Sequence, residues 1–284
     1  MRVVSLIPSA TEILFAVGAG ADVVGVTFEC DHPPEARART IVSNTTLPQG
    51  LSPREIDDAV AAVVARGEDL YRLDAGALAA LDADLVVTQD LCAVCALDVS
   101  TVDDALRHLG CTAQVVTVDP HTLEEVLASI GTIGAAVGRA EEAERLVHDL
   151  RARLHAGAQH VAGRPRPRVV VLEWTDPPYA PGHWVPELVT LAGGDPVLGE
   201  VGARSHRVTW DEVHAAGADV VVVAPCGYDR EGAQVQADAL VAQGLLPPEA
   251  VVHAVDADGE WARPGPRLVD GVEELARLLH PVDR

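Results

Sequence analysis

No lysine occurs in this 284-residue chain, and its 21 basic side chains are all arginine. That removes Schiff-base chemistry and the lysine of a nucleotide phosphate loop. Positive charge is itself scarce: 43 acidic residues against 21 basic ones leave a formal net charge of −22. A field of that sign repels nucleic-acid phosphates and anionic lipid headgroups, so nucleic acid is excluded as a partner. Long apolar runs are missing too, because charged residues, Gly or Pro interrupt each run before the roughly 18 to 20 residues a membrane span needs. No membrane insertion is expected. Aromatic residues are few, with four Trp, three Tyr and two Phe. The signatures of common catalysts are absent: there is no Gly-x-Ser-x-Gly elbow and no His-Glu-x-x-His helix, and Gly18-Ala19-Gly20 closes a helix instead of following a strand. These absences favour a binder over an enzyme.

The chain opens Met1-Arg2 and passes at once into Val3-Val4-Ser5-Leu6-Ile7, without the charged, apolar and cleavage regions of an export signal. It carries five cysteines, two of them in a Cys92-Ala93-Val94-Cys95 pair. An odd number in a chain too large to need disulfide staples fits a reducing compartment. A cytoplasmic location is therefore expected for the chain as written, and an extracytoplasmic one if the sequence starts at a mature N-terminus.

Hydrophobic residues make up 48% of the chain, enough for a substantial core. Short β-branched runs alternate with segments of helical period, the pattern of parallel strands joined by crossover helices. Strands are expected near Val3 to Ile7, Val23 to Val26, Leu85 to Thr88 and Val115 to Val118, with helices near Ala10 to Val17, Ser52 to Ala65, Ala75 to Leu81 and Val102 to Leu109. Ser9 offers an N-cap hydroxyl to the first helix. From Thr122 to Val161, Ala, Leu, Glu and Arg dominate and apolar residues recur at helical spacing, predicting one helix of roughly 35 residues and about 50 Å. Gly131, Gly134 and Gly138 weigh against its continuity, at roughly 1 kcal/mol each relative to Ala. After the breaker Gly163-Arg164-Pro165-Arg166-Pro167-Arg168 a second series begins, with strands near Val169 to Leu172, Val220 to Ala224 and Val251 to Val255 and a last helix near Leu268 to Leu279. The fold class read from this is α/β, two Rossmann-like lobes with parallel sheets joined by one long backbone helix: an N-terminal lobe over 1–121, the helix over 122–161 and a C-terminal lobe over 162–284.

Several segments resemble one known family. Ser5-Leu6-Ile7-Pro8-Ser9-Ala10-Thr11-Glu12 is similar to the opening of the helical-backbone substrate-binding proteins, the cobalamin and iron-siderophore receptors of ABC transporters. Pro177-Pro178-Tyr179-Ala180-Pro181-Gly182, Ala192-Gly193-Gly194, Val208-Thr209-Trp210-Asp211-Glu212-Val213 and Glu260-Trp261-Ala262-Arg263-Pro264-Gly265-Pro266-Arg267 continue the likeness in order along the chain. The resemblance implies a ligand held in a cleft between lobes, with Pro8 and Ser9 on its first lip, hinge motion restricted by the long helix, and a transporter permease as partner. Family members carry an export signal or lipid anchor, which the opening residues here do not show. Cobalamin or another metal chelate is the ligand implied, a small molecule in either case.

In open α/β sheets ligands sit beyond the carboxyl ends of strands. That rule collects Glu29 and Cys30 after the second strand, Asp90, Cys92 and Cys95 after Leu85 to Thr88, Glu173 and Trp174 after Val169 to Leu172, Cys226 and Tyr228 after Val220 to Ala224, and Trp261 after Val251 to Val255. With Tyr179, His183 and Arg263 these form the candidate ligand site. Five of the nine aromatics, Trp174, Tyr179, Trp184, Tyr228 and Trp261, fall in these loops, where flat rings suit a planar or large apolar-faced ligand. His183 is read either as a metal ligand or as a cap for the helix that follows. Cys30, Cys92, Cys95 and Cys226 are read either as buried packing, as a redox pair, or as ligands of zinc or an iron–sulfur centre. The last reading supports an alternative function, a cytoplasmic metalloprotein or enzyme with a cysteine-ligated centre in the cleft.

Overall fold

Valine-rich runs bounded by turn residues form strands; in the computed structural model, which describes residues 1–89 and 113–281, the inner strands Val3–Ser5, Leu85–Gln89 and Val220–Val223 are buried along their whole length, whereas the edge strands Gln114–Val118 and Val251–Ala254 are largely not. By its contacts the chain divides into two units, Met1–Pro120 with Glu125–His148 and His121–Glu124 with Asp149–Arg284.

The first unit runs β1 (Val3–Ser5), α1 (Pro8–Ala16), β2 (Val23–Thr27), β3 (Thr40–Thr45), α2 (Pro53–Ala65), β4 (Tyr71–Leu73), α3 (Ala75–Leu81), β5 (Leu85–Gln89) and β6 (Gln114–Val118). Its sheet has the order β4-β3-β2-β1-β5-β6, parallel except between β3 and β4. Val4, Leu6, Val42, Leu78 and Val86 make a core on one face. The expected helix Val102 to Leu109 lies outside the described residues. Helix α1 begins at Pro8, whose fixed φ suits the first helical position, so Ser9 is not the cap. Instead Ser9 and Glu12 are buried within the first turns.

The segment expected as one helix is two, α4 (Leu123–Ala136) and α5 (Ala140–Val161). The cause is Gly138, at φ +69°: its N–H donates to Ala135 O at 3.1 Å and the Arg139 N–H to Gly134 O at 2.7 Å, the paired bonds of a Schellman stop. Gly134 is needed for a different reason, since a β-carbon there would collide with Ala143 at the start of α5. The boundary between the units, His148/Asp149, falls inside α5. We expect Gly138→Ala to destabilise the protein by about 1 to 2 kcal/mol through left-handed backbone strain, its β-carbon meeting no neighbour. Denaturant unfolding reads this directly, and an unchanged midpoint would remove the Gly138 stop as the cause of the break.

The second unit continues β7 (Arg168–Leu172), β8 (Trp174–Thr175), β9 (Pro178–Ala180), α6 (Val185–Leu191), β10 (Asp195–Pro196), β11 (His206–Arg207), α7 (Trp210–Ala215), β12 (Val220–Val223), α8 (Arg230–Ala242), β13 (Val251–Ala254), a π-helical turn at Asp258–Ala262 and α9 (Leu268–Leu279). A parallel sheet has the order β10-β7-β12-β13, and a small antiparallel one the order β11-β9-β8. Val170, Leu172, Val221 and Val223 pack beneath Ala237 and Leu240 of α8. Arg153 ties α5 to α9 through Glu273 and Asp270, and those partners hold its guanidinium more firmly protonated than usual. No strand pairing joins the sheets of the two units among the described residues.

Candidate functional site

Each of the two larger sheets has one point where the strand order reverses, the place where open α/β sheets take ligands. In the first unit it lies between β1 and β5. The β1 end is packed shut: Thr11 Oγ1 donates to Ser5 Oγ at 2.9 Å and lies 3.0 Å from Cys30 Sγ. Cys30 is 3% exposed and sits in this hydroxyl cluster. Glu29 accepts a hydrogen bond from the Tyr71 hydroxyl at 3.3 Å. His32, beside Cys30, lines a recess of about 510 Å³ with Glu12, Phe15, Pro33 and Arg39. Asp90, Cys92 and Cys95 lie outside the described residues. Cys226 is exposed and belongs to the second unit, whereas Cys30 belongs to the first. Among the described residues no three His, Cys, Asp or Glu side chains gather as a metal site.

In the second unit the corresponding point lies between β7 and β12, and here expected residues do come together. Glu173 follows the last residue of β7; its N–H donates to Tyr179 O at 3.2 Å and its carbonyl accepts from Cys226 N at 3.0 Å. Those two bonds tie the β8–β9 hairpin and the segment after β12 to one residue. Trp174 and Tyr228 then meet ring to ring, centroids 5.9 Å apart and tilted by 56°, and both rings remain partly exposed at the strand ends. The Tyr179 hydroxyl accepts from Arg207 Nε at 3.0 Å, and the guanidinium carbon stands 5.9 Å from the ring centre. Burial pushes the Glu173 carboxyl up to about 7, only partly offset by a hydrogen bond from Ser205. Burial also pushes the Tyr228 hydroxyl up. The patch therefore offers two partly exposed rings, a carboxyl that is half protonated near neutrality and an arginine braced by a tyrosine.

Three expected residues are placed differently. Trp261 was expected in the cleft but is core, 2% exposed, because the π-helical turn carries it inward against Gly271 of α9. Its carbonyl accepts from Trp184 Nε1 at 2.8 Å, so two of the four tryptophans pin helices instead of facing a ligand. Arg263 is 7% exposed and paired with Asp258 at 2.5 Å, which spends its charge internally. His183 does not cap α6, whose N-cap is Trp184 without a side-chain bond. Its backbone is left-handed at φ +49°, clamped by bonds to Ala203 O and from Gly202 N, and its ring lies 5.6 Å from those of both His121 and Trp184, tilted by 38° and 40°. Beyond β13, burial and the neighbouring Glu274 and Asp256 carboxylates push Glu260 up to about 7.

Ser205, Arg207 and His121 were missed from sequence. Their neighbours are distant in the chain, so no local spacing signals them; the polar run Arg204-Ser205-His206-Arg207 before Thr209-Trp210 is the one cue available.

The family model described as periplasmic binding protein matches residues 3–244. A vitamin B12-binding protein of Pectobacterium atrosepticum is 23% identical over 98% of this chain and 88% of its own length. An uncharacterised ABC transporter substrate-binding lipoprotein of Bacillus subtilis is 26% identical over 99% of this chain and 80% of its own. A crystal structure of a periplasmic haem-binding protein from Pseudomonas aeruginosa superposes with a TM-score of 0.73 at 20% identity, covering 100% of this chain and 94% of that one.

Proposed function

Since the chain belongs to the periplasmic binding protein family, we propose that it is an extracytoplasmic receptor for a large metal-centred organic ligand, of the corrinoid or haem kind, which it passes to an ABC transporter permease. The observation that carries this reading is the patch at the ends of β7 and β12. Partly exposed Trp174 and Tyr228 rings stand beside Glu173 and the Arg207–Tyr179 pair. Two of only nine aromatics thus stand partly exposed at strand ends, and a broad apolar ligand face with a polar rim matches what they offer. Relatives named for vitamin B12, haem and an ABC transporter lipoprotein support this choice of ligand class, partner class and compartment. On this reading the extracytoplasmic location replaces the cytoplasmic one.

Replacing Trp174 with alanine should weaken binding of cyanocobalamin or haem, whichever the parent takes up, by roughly 1 to 3 kcal/mol, the scale of a packed aromatic at a contact. Its partial exposure predicts little change in unfolding. Calorimetric titration beside a melting curve separates the two effects; unchanged affinity in a folded variant would take Trp174 out of the site.

A further inference from the structure

Glu173 is partly exposed, yet its surroundings disfavour the charged carboxylate. It follows β7 beside β12, next to the Trp174–Tyr228 ring pair, and the hydroxyl of Ser205 is its described side-chain partner. One hydroxyl satisfies little of a carboxylate's acceptor capacity, whereas a carboxylic acid also has a proton to give. The whole chain carries a net charge of −22, which repels an anionic ligand edge. A ligand carboxylate brought against an ionised Glu173 would add a like-charge pair. The carbonyl of an uncharged amide meets neither penalty and accepts a hydrogen bond.

We propose that Glu173 acts as a carboxylic acid that donates a hydrogen bond to a carbonyl on the ligand's rim, so that the ligand is held more weakly once that acid ionises. The inference rests on the receptor reading above and names the residue that reads the rim. The lift of the carboxyl to about 7 agrees with it, burial being the larger cause and Ser205 pulling the other way. Other titratable or charged groups brought to these strand ends are Tyr179 from β9, His206 and Arg207 from β11, and Cys226 and Tyr228 after β12. Variants at Glu173 and Ser205 separate the Glu173 proton from theirs.

The test is a calorimetric titration of cyanocobalamin, whose corrin rim carries amides, into the full chain from about pH 6 to about pH 8.5, with haem as the carboxylate-edged comparison. The parent should bind cyanocobalamin about tenfold more weakly at the alkaline end, the scale of losing one hydrogen bond to a now charged group. Glu173→Gln, a donor that cannot ionise, should flatten the profile and exceed the parent's affinity at about pH 8.5. Ser205→Ala should move the midpoint to higher pH, because the hydroxyl that favours the ionised form is gone. A flat parent profile, or a glutamine variant that falls alongside the parent, overturns the inference while leaving the receptor reading intact. Failure of both ligands to bind at any pH overturns the receptor reading and this inference with it.

Discussion

Replacing Trp261 with alanine is expected to lower the unfolding free energy by about 3 to 5 kcal/mol, the cost of deleting a buried large aromatic and leaving a cavity. The indole is 2% exposed and its ring nitrogen lies near Gly271, where an added β-carbon would stand 3.3 Å from it. No partner side chain can expand to fill the void from a glycine. The Trp184 Nε1 bond to the Trp261 carbonyl survives the change, so the loss is one of packing and not of hydrogen bonding. Chemical denaturation followed by tryptophan emission and circular dichroism measures it. A stable variant with weakened ligand affinity would instead return Trp261 to the binding surface.

The second large effect is a pH dependence of stability. Glu173 titrates at about 7 in the folded chain against an ordinary value of 4.5, because burial penalises its charged form. The folded state therefore holds this proton more tightly than the unfolded state. Stability contributed by the protonated group is fully present below about pH 4.5, is lost progressively as pH rises towards 7, and is constant above that. The span corresponds to at most about 3 kcal/mol, lowered by the water that reaches this partly exposed residue. Glu260 shifts in the same direction from burial and from Glu274 and Asp256, so the parent curve holds both contributions. The difference between the parent and Glu173→Gln isolates the first: the variant should gain on the parent as pH rises from about 4.5 to 7. Parallel curves across that window would show that Glu173 is not held neutral by the fold.

The parallel strands were readable from the chain because Val-rich runs such as Val169 to Leu172 and Val220 to Val223 are buried on both faces and need no alternation to be recognised. β3 and β4 were missed: the first is polar along Thr40 to Thr45, and the second has three residues. β8, β9, β10 and β11 have two or three residues each, too few for any period. α8 was missed because its buried stripe is Ala233, Ala237 and Leu240, nearly all small side chains, with Gly232 in its first turn. The break at Gly138 was visible as a glycine, but its left-handed φ was not, and the same composition reads as one helix until the Schellman bonds are seen.

The site divides along the same line. Strand ends are local features, so the places of Glu173, Trp174 and Tyr228 beside β7 and β12 were readable from position alone. Trp261 obeyed the same rule and failed it, because a π-helical turn directs its ring inward and that turn has no sequence period. Ser205 and Arg207 reach the site by β11 pairing with β9, a long-range contact that local reading does not detect.

The central claim is that the ends of β7 and β12 form a ligand surface, and a crystal structure of the full chain grown with cyanocobalamin tests it most directly. The account predicts the macrocycle in van der Waals contact, about 4 Å, with the Trp174 and Tyr228 rings and with a rim amide at Glu173. A complex with the ligand elsewhere and those rings still open to solvent would contradict it.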